Sequence, residues 1–132
     1  MSFLVDTDIC SYYLRGKTSL FTRFTQHSGR LHMSVITLGE LYTWALRGKA
    51  PPGHLQGLLA LVSDLILHDV NHEVARKFGE MRAQLLDQGR SIATADLLIA
   101  ATALVQGLTM VTHNTRDFVD IPELRVADWL AP

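Results

Sequence analysis

Four acidic residues in this chain of 132 stand where an apolar run ends or a helical one begins: Asp6 after "FLV", Glu40 in "TLGELYTWA", Asp96 in "ATADLLIAA" and Asp117 after "LTMVT" and "HNTR". In an open sheet whose strands are joined by helices, such positions gather beyond the carboxyl ends of the strands, where ligands bind. Burying lone carboxylates is expensive, and a shared divalent cation removes the cost. Mg²⁺ or Mn²⁺ suits the donor set, since both are hard, prefer oxygen and often retain water. Each acid also has a structural explanation. Asp8, or Asp6, can cap the helix suggested by "DICSYYLRG", because an Asp side chain accepts the first unpaired amide hydrogens. "TLGE", with Thr37 and Glu40, matches a capping box. Asp96 follows Thr94, a good capping residue, and gains about 0.3 to 1 kcal/mol from the helix dipole. Singly, each acid reads as structural; together they read as a site.

The elements that would position these acids alternate strand and helix, the pattern of a parallel sheet covered on both faces. Strands are expected at "FLV", "LHMSV", "LILHDV", "LTMVT" and "RVAD". "TLGELYTWALRG" keeps helical spacing with Leu38, Leu41, Trp44 and Ala45, as does "HEVARKFGEMRAQLLDQG" with Val74, Phe78, Met81 and Leu85. "ATADLLIAATALVQG" is apolar almost all round, which marks a central buried helix stopped by Gly107. "RGKAPPGH", residues 47–54, reads as a loop. The expected fold is a three-layer α/β domain.

Length and a 48% hydrophobic content suit one compact core. No apolar stretch is long enough for a bilayer and the start lacks a secretory pattern, so a soluble, cytoplasmic protein is expected. The one cysteine, Cys10, cannot form an internal disulfide and fits a reducing compartment. A formal charge of -1 looks unsuited to nucleic acid. Setting the four clustered acids aside leaves 12 Lys and Arg against nine of the 13 acids, a balance of +3. Arg15, Lys17, Arg47, Lys49 and Arg90 are then candidate phosphate contacts. Tyr12, Tyr13, Trp44 and Leu46 suggest apolar surface for a partner.

"LVDTDIC", "SVITLGELYTWA", "GRSIATADLLIAATALVQGLTMVTHNTRDF" and the closing "LRVADW" together resemble PIN-domain ribonucleases, and within them the VapC toxins of bacterial toxin and antitoxin pairs. The resemblance covers nearly the whole chain in order and spacing. It implies one PIN domain over residues 1–132 with a four- or five-stranded parallel sheet. It also implies Mg²⁺- or Mn²⁺-dependent RNA hydrolysis, a homodimer and inhibition by a VapB-type antitoxin. The suggested substrate is tRNA, with the anticodon stem-loop of initiator tRNA in view. The catalytic and metal positions carried over are Asp6, Glu40, Asp96 and a fourth filled by Asp117 or Asn114. Thr7, Ser34, Thr37 and Asn114 are candidate supporting hydrogen-bonders. The chain departs from the family pattern at Asp8, where asparagine is common, and at Thr102, where histidine is often seen.

Two other classes fit parts of the sequence. "VDTD" after a strand also suits a haloacid-dehalogenase-like phosphatase with Asp6 as nucleophile, although no lysine follows Lys77. A noncatalytic binding module, with the acids as caps, is the other.

Overall fold

The computed structural model describes residues 1–132. Five parallel strands, β1 (Phe3–Val5), β2 (Leu31–Ser34), β3 (Ile66–His68), β4 (Thr109–Val111) and β5 (Val126–Ala127), lie in the order β3-β2-β1-β4-β5. The helices are α1 (Thr7–Leu14), α2 (Thr18–Gln26), α3 (Val35–Ala45), α4 (His54–Ser63), α5 (His72–Asp87) and α6 (Thr94–Gln106). This is the three-layer α/β arrangement expected, and all five strands fall within the runs read as strands. Two helices were not anticipated. In α2 the apolar residues are Leu20, Phe21 and Phe24, of which only Leu20 and Phe24 are buried, a stripe little more than one turn long. In α4 the run "LLALV" is too continuous to show a helical period.

Side chains alternate across β1 and split the core in two. Leu4 faces the layer of α5 and α6, in a cluster with Leu97, Ala100, Met110 and Phe118. Phe3 and Val5 face the other layer, with Ile9, Leu20, Met33, Leu41 and Leu58. Three fully buried alanines, Ala100, Ala101 and Ala103, let α6 lie close to its neighbours. The αL residue that ends α6 is Gly107, at φ 67°, where a side chain would be strained.

The chain builds β1, β2 and β3 outward on one side, then returns through α6 to place β4 on the other side of β1. The central strand is therefore the topological switch, and a crevice opens beyond its carboxyl end. β1 passes through one residue into α1, and β2 runs directly into α3. Both helices thus start at the crevice with their amino-terminal residues facing it.

Candidate active site

Asp6 lies between β1 and α1 and is only 5% exposed. It is the N-cap of α1: one carboxylate oxygen accepts from the Thr7 amide at 2.8 Å. The other accepts from the Thr112 hydroxyl at 2.8 Å. Glu40, on α3, accepts from the Thr7 hydroxyl at 2.6 Å, and that hydroxyl is 3.0 Å from the Thr37 hydroxyl. Asp96 sits in the first turn of α6. Asp6, Asp8, Glu40, Asp96 and Asn114 line one concavity of about 400 Å³, walled further by Ser11, Tyr12, Arg15 and Trp44.

Burial and crowding of negative charge make these carboxyls hard to ionise. Burial, with the Asp8 and Asp96 charges, pushes Asp6 up to about 7 against the lowering effect of its bonds to Thr112 and Thr7. Asp96 is also raised, by burial first and then by Glu40, Asp117 and Asp8. Burial raises Asp8 too, although backbone amides of His113 and Ile9 pull the other way. A carboxylate held this way lacks positive charge.

The capping readings need correction. Ser34, not Thr37, caps α3, accepting from the Ile36 amide at 3.0 Å. Because β2 leads straight into α3, that helix begins before Thr37, and Glu40 faces the crevice instead of reaching back to a free amide. Ser34 is consequently occupied as a cap; no contact of it with the carboxylates is present. The N-cap of α6 is Ala93, with no side-chain cap, and Thr94 is its first residue. Asp8 is not the α1 cap. Its oxygens accept from the Ile9 amide at 2.7 Å and from the His113 amide at 3.0 Å, tying α1 to the segment after β4.

Asp117 ends a 3-10 turn, Thr115–Asp117, and accepts from the Asn114 side-chain amide at 2.8 Å. Asn114 lines the concavity and Asp117 does not, although the Asp117 charge is felt at Asp96. Of the candidate phosphate contacts, Arg15 borders the concavity. Arg90 lies elsewhere, paired with Asp120 at 3.0 Å beside a separate cavity of about 450 Å³ between α5, α6 and residues 120–123. That larger hollow gathers both signs of charge and lies apart from the acids, so its size does not make it the site. Tyr13 turns inward and stacks on Phe24, with ring centroids 4.2 Å apart, whereas Trp44 is 59% exposed.

Two contributors escaped the sequence reading. Thr112 is fully buried, donates to Asp6 and accepts from the Asn114 amide at 3.1 Å. Its place directly after an apolar strand was the available signal. His113 stands 3.0 Å from Asp128 and edge-on to Tyr12; nothing local marks it.

No three His, Cys, Asp or Glu side chains are already arranged to hold a metal ion. The donor chemistry nevertheless fits a hard cation: every acidic group of the concavity offers oxygen, and Mg²⁺ is commonly held by one or two carboxylates with water completing its shell. No lysine lines the concavity, which leaves the phosphatase scheme without the lysine it calls for.

A parallel sheet with carboxylates gathered at the switch beside its central strand is the arrangement expected of a PIN-type nuclease. The PIN domain family model matches residues 3–124, and the chain belongs to that family. It is 35% identical over 130 residues, 98% of each chain, to the tRNA(fMet)-specific endonuclease VapC of Shigella flexneri. It is 31% identical over 131 residues, 98% of this chain and 99% of the relative, to ribonuclease VapC2 of Haemophilus influenzae. The structure of DNA-bound VapBC from Salmonella typhimurium superposes with a TM-score of 0.91 at 33% identity, covering 98% of both chains. The protein is thus one of the VapC ribonucleases of toxin and antitoxin pairs. No helix is long and apolar enough to cross a membrane.

Proposed function

We propose that residues 1–132 act as one PIN domain that hydrolyses RNA with a divalent cation, Mg²⁺ or Mn²⁺, held by Asp6, Asp96 and Glu40. The observation that supports this most is Asp6, a residue only 5% exposed, in a concavity shared with two further acids of the motif. When bound, the cation supplies neutralisation of the phosphodiester and a lowered pKa for the attacking water. Thr112 and the Thr7 amide fix the two oxygens of Asp6, so that the carboxylate keeps one orientation. The Thr7 hydroxyl occupies one Glu40 oxygen and leaves the other free to hold the cation or to take a proton from water. Attack by water leaves a 5′-phosphate and a 3′-hydroxyl.

The substrate in this reading is tRNA, as in the name of the Shigella relative, with the anticodon stem-loop of initiator tRNA the first sequence to try. The partners are a VapB-type antitoxin, as in the related VapBC complexes, and a second copy in a homodimer. Exposed apolar side chains such as Leu46, Leu59, Ile66 and Leu86 provide surface for such contacts; a monomer by light scattering at micromolar concentration would remove the dimer. The deciding experiment incubates the pure protein with total RNA, with and without Mg²⁺ or Mn²⁺, and maps the ends. Discrete cuts in tRNA bearing 5′-phosphates and abolished by EDTA are expected. Cuts that persist in EDTA, or none with either metal, would overturn the reading.

At the fourth position, Asp117 brings charge and Asn114 brings proximity. Asp117→Asn should weaken Mn²⁺ affinity and slow cleavage by about 10- to 100-fold, the range typical of groups that orient a metal site. Asn114→Ala should lower the rate with little change in affinity. Titrating activity against Mn²⁺ separates them, since an unchanged midpoint in Asp117→Asn would transfer the role to Asn114.

A further inference from the structure

The two helices that open at the crevice carry the same chemistry in the same order. On α1 and its C-cap the series is Asp8, Tyr12, Arg15; on α3 and its exit it is Glu40, Trp44, Arg47. Both use spacings of four and then three residues; the first step places the ring one turn from the acid on the same helical face, and the guanidinium follows at the helix exit. The ring stands one turn, about 5.4 Å, farther from the sheet than the acid. Five of the six line the concavity, and the sixth, Arg47, follows α3 by two residues and is exposed. The Arg15 guanidinium lies 4.8 Å above the Tyr12 ring, which holds it at the rim. Trp44 is 59% exposed, an unusual state for the largest apolar side chain.

We infer that this wall is a track for single-stranded RNA, in which an unpaired base next to the scissile phosphate stacks on Trp44 while Arg15, laid on Tyr12, and Arg47 hold the neighbouring phosphates. The inference rests on the ribonuclease reading above and adds to it which side chains hold the substrate beside the cut. An occupant must bring negative charge to the guanidinium end, a flat apolar face to the middle and tolerance of carboxylates at the other end. A phosphodiester chain with an unstacked base, neutralised by cation at the acids, meets all three. An apolar segment of a protein partner meets only the middle one. A base within a duplex cannot present its face, so paired RNA should be a poor occupant.

The chain has two tryptophans, and Trp129 is 6% exposed and stacked on His27, so emission accessible to acrylamide reports Trp44. A short unstructured RNA should protect that emission, and the same sequence annealed to its complement should not. In cleavage of the unstructured RNA with Mn²⁺, Trp44→Ala should raise KM by about 5- to 150-fold, the span for losing one stacked base, and Trp44→Phe should restore most of it. Equal KM for wild type and Trp44→Ala, without protection of the emission, would overturn the track, as would equal protection by duplex. Weakened binding of an antitoxin segment in Trp44→Ala, with KM for RNA unchanged, would assign the face to a protein partner and also overturn it. If the wild type cuts no RNA with either metal, the ribonuclease reading has failed by itself. The protection measurement then decides the track alone, upheld by single-strand protection and refuted by its absence.

Discussion

Asp6→Asn is expected to abolish cleavage and at the same time to make the metal-free protein more stable. The first effect follows from position: Asp6 is the most buried of the acids and its carboxylate is oriented at both oxygens. Removing its charge should lower the rate by more than the roughly 100-fold that marks loss of a supporting group alone. The second follows from linkage. A carboxyl raised from 3.8 to about 7 holds its proton more tightly when folded. Its stability contribution is full below pH 3.8 and is lost as pH climbs to about 7, a loss on the order of 4 kcal/mol for a shift of this size. Asparagine carries no charge, so the variant should melt higher than wild type above pH 7, with the gain shrinking toward pH 4. The Thr7 amide can still donate to the asparagine oxygen, while Thr112 must reorient, which offsets part of the gain. Adding Mn²⁺ should reverse the ranking, because only wild type is stabilised by binding. Thermal melts of both proteins across pH, with and without Mn²⁺, check it; a variant less stable than wild type at pH 8 without metal would show that Asp6 is structural.

Mn²⁺ affinity should fall steeply in mild acid. Cations bind the deprotonated carboxylate, and burial and neighbouring acids hold Asp6 protonated below about pH 7. Each unit below that value should then weaken binding about tenfold, giving roughly 100-fold between pH 7 and 5. Above pH 7 the affinity should level off. An ordinary surface carboxylate, with a pKa near 3.9, would give almost no change over the same range. Calorimetric titration at several pH values measures this directly, and the proton released on binding should appear as a buffer-dependent heat. A flat affinity from pH 5 to 8 would show that no group holding the cation titrates near 7, contradicting a cation held by an Asp6 raised this far.

Sheet and strand order are unequally written in the chain. "FLV", "LHMS" and "TMV" announce themselves as short apolar runs beside turn residues, and α6 by its length of apolar residues. Helix α2 did not, because it buries only Leu20 and Phe24 beneath polar neighbours. The boundary of α3 was misplaced for a local reason: "TLGE" satisfies a capping pattern, but Ser34 has already begun the helix at the end of β2. The same lack of a loop turned Glu40 toward Thr7. The cap that the sequence left open between Asp8 and Asp6 falls to Asp6. Asp6 caps α1 while facing the acids, whereas Asp8 bonds the His113 amide, a partner 105 residues away. Thr112 is 106 residues from the carboxylate it orients. Such pairings depend on β1 and β4 lying side by side, which no local pattern encodes. Of the four acids picked out as carboxylates in apolar surroundings, which are expensive wherever they stand, Asp6, Glu40 and Asp96 share the concavity and Asp117 does not.

The central claim is that these carboxylates hold a divalent cation, and anomalous diffraction from crystals soaked in Mn²⁺ near pH 8 tests it most directly. One or two anomalous peaks should appear in the concavity between Asp6, Glu40 and Asp96, and vanish in Asp6→Asn. Saturating Mn²⁺ with no peak there, in crystals whose concavity is open to solvent, would contradict the account.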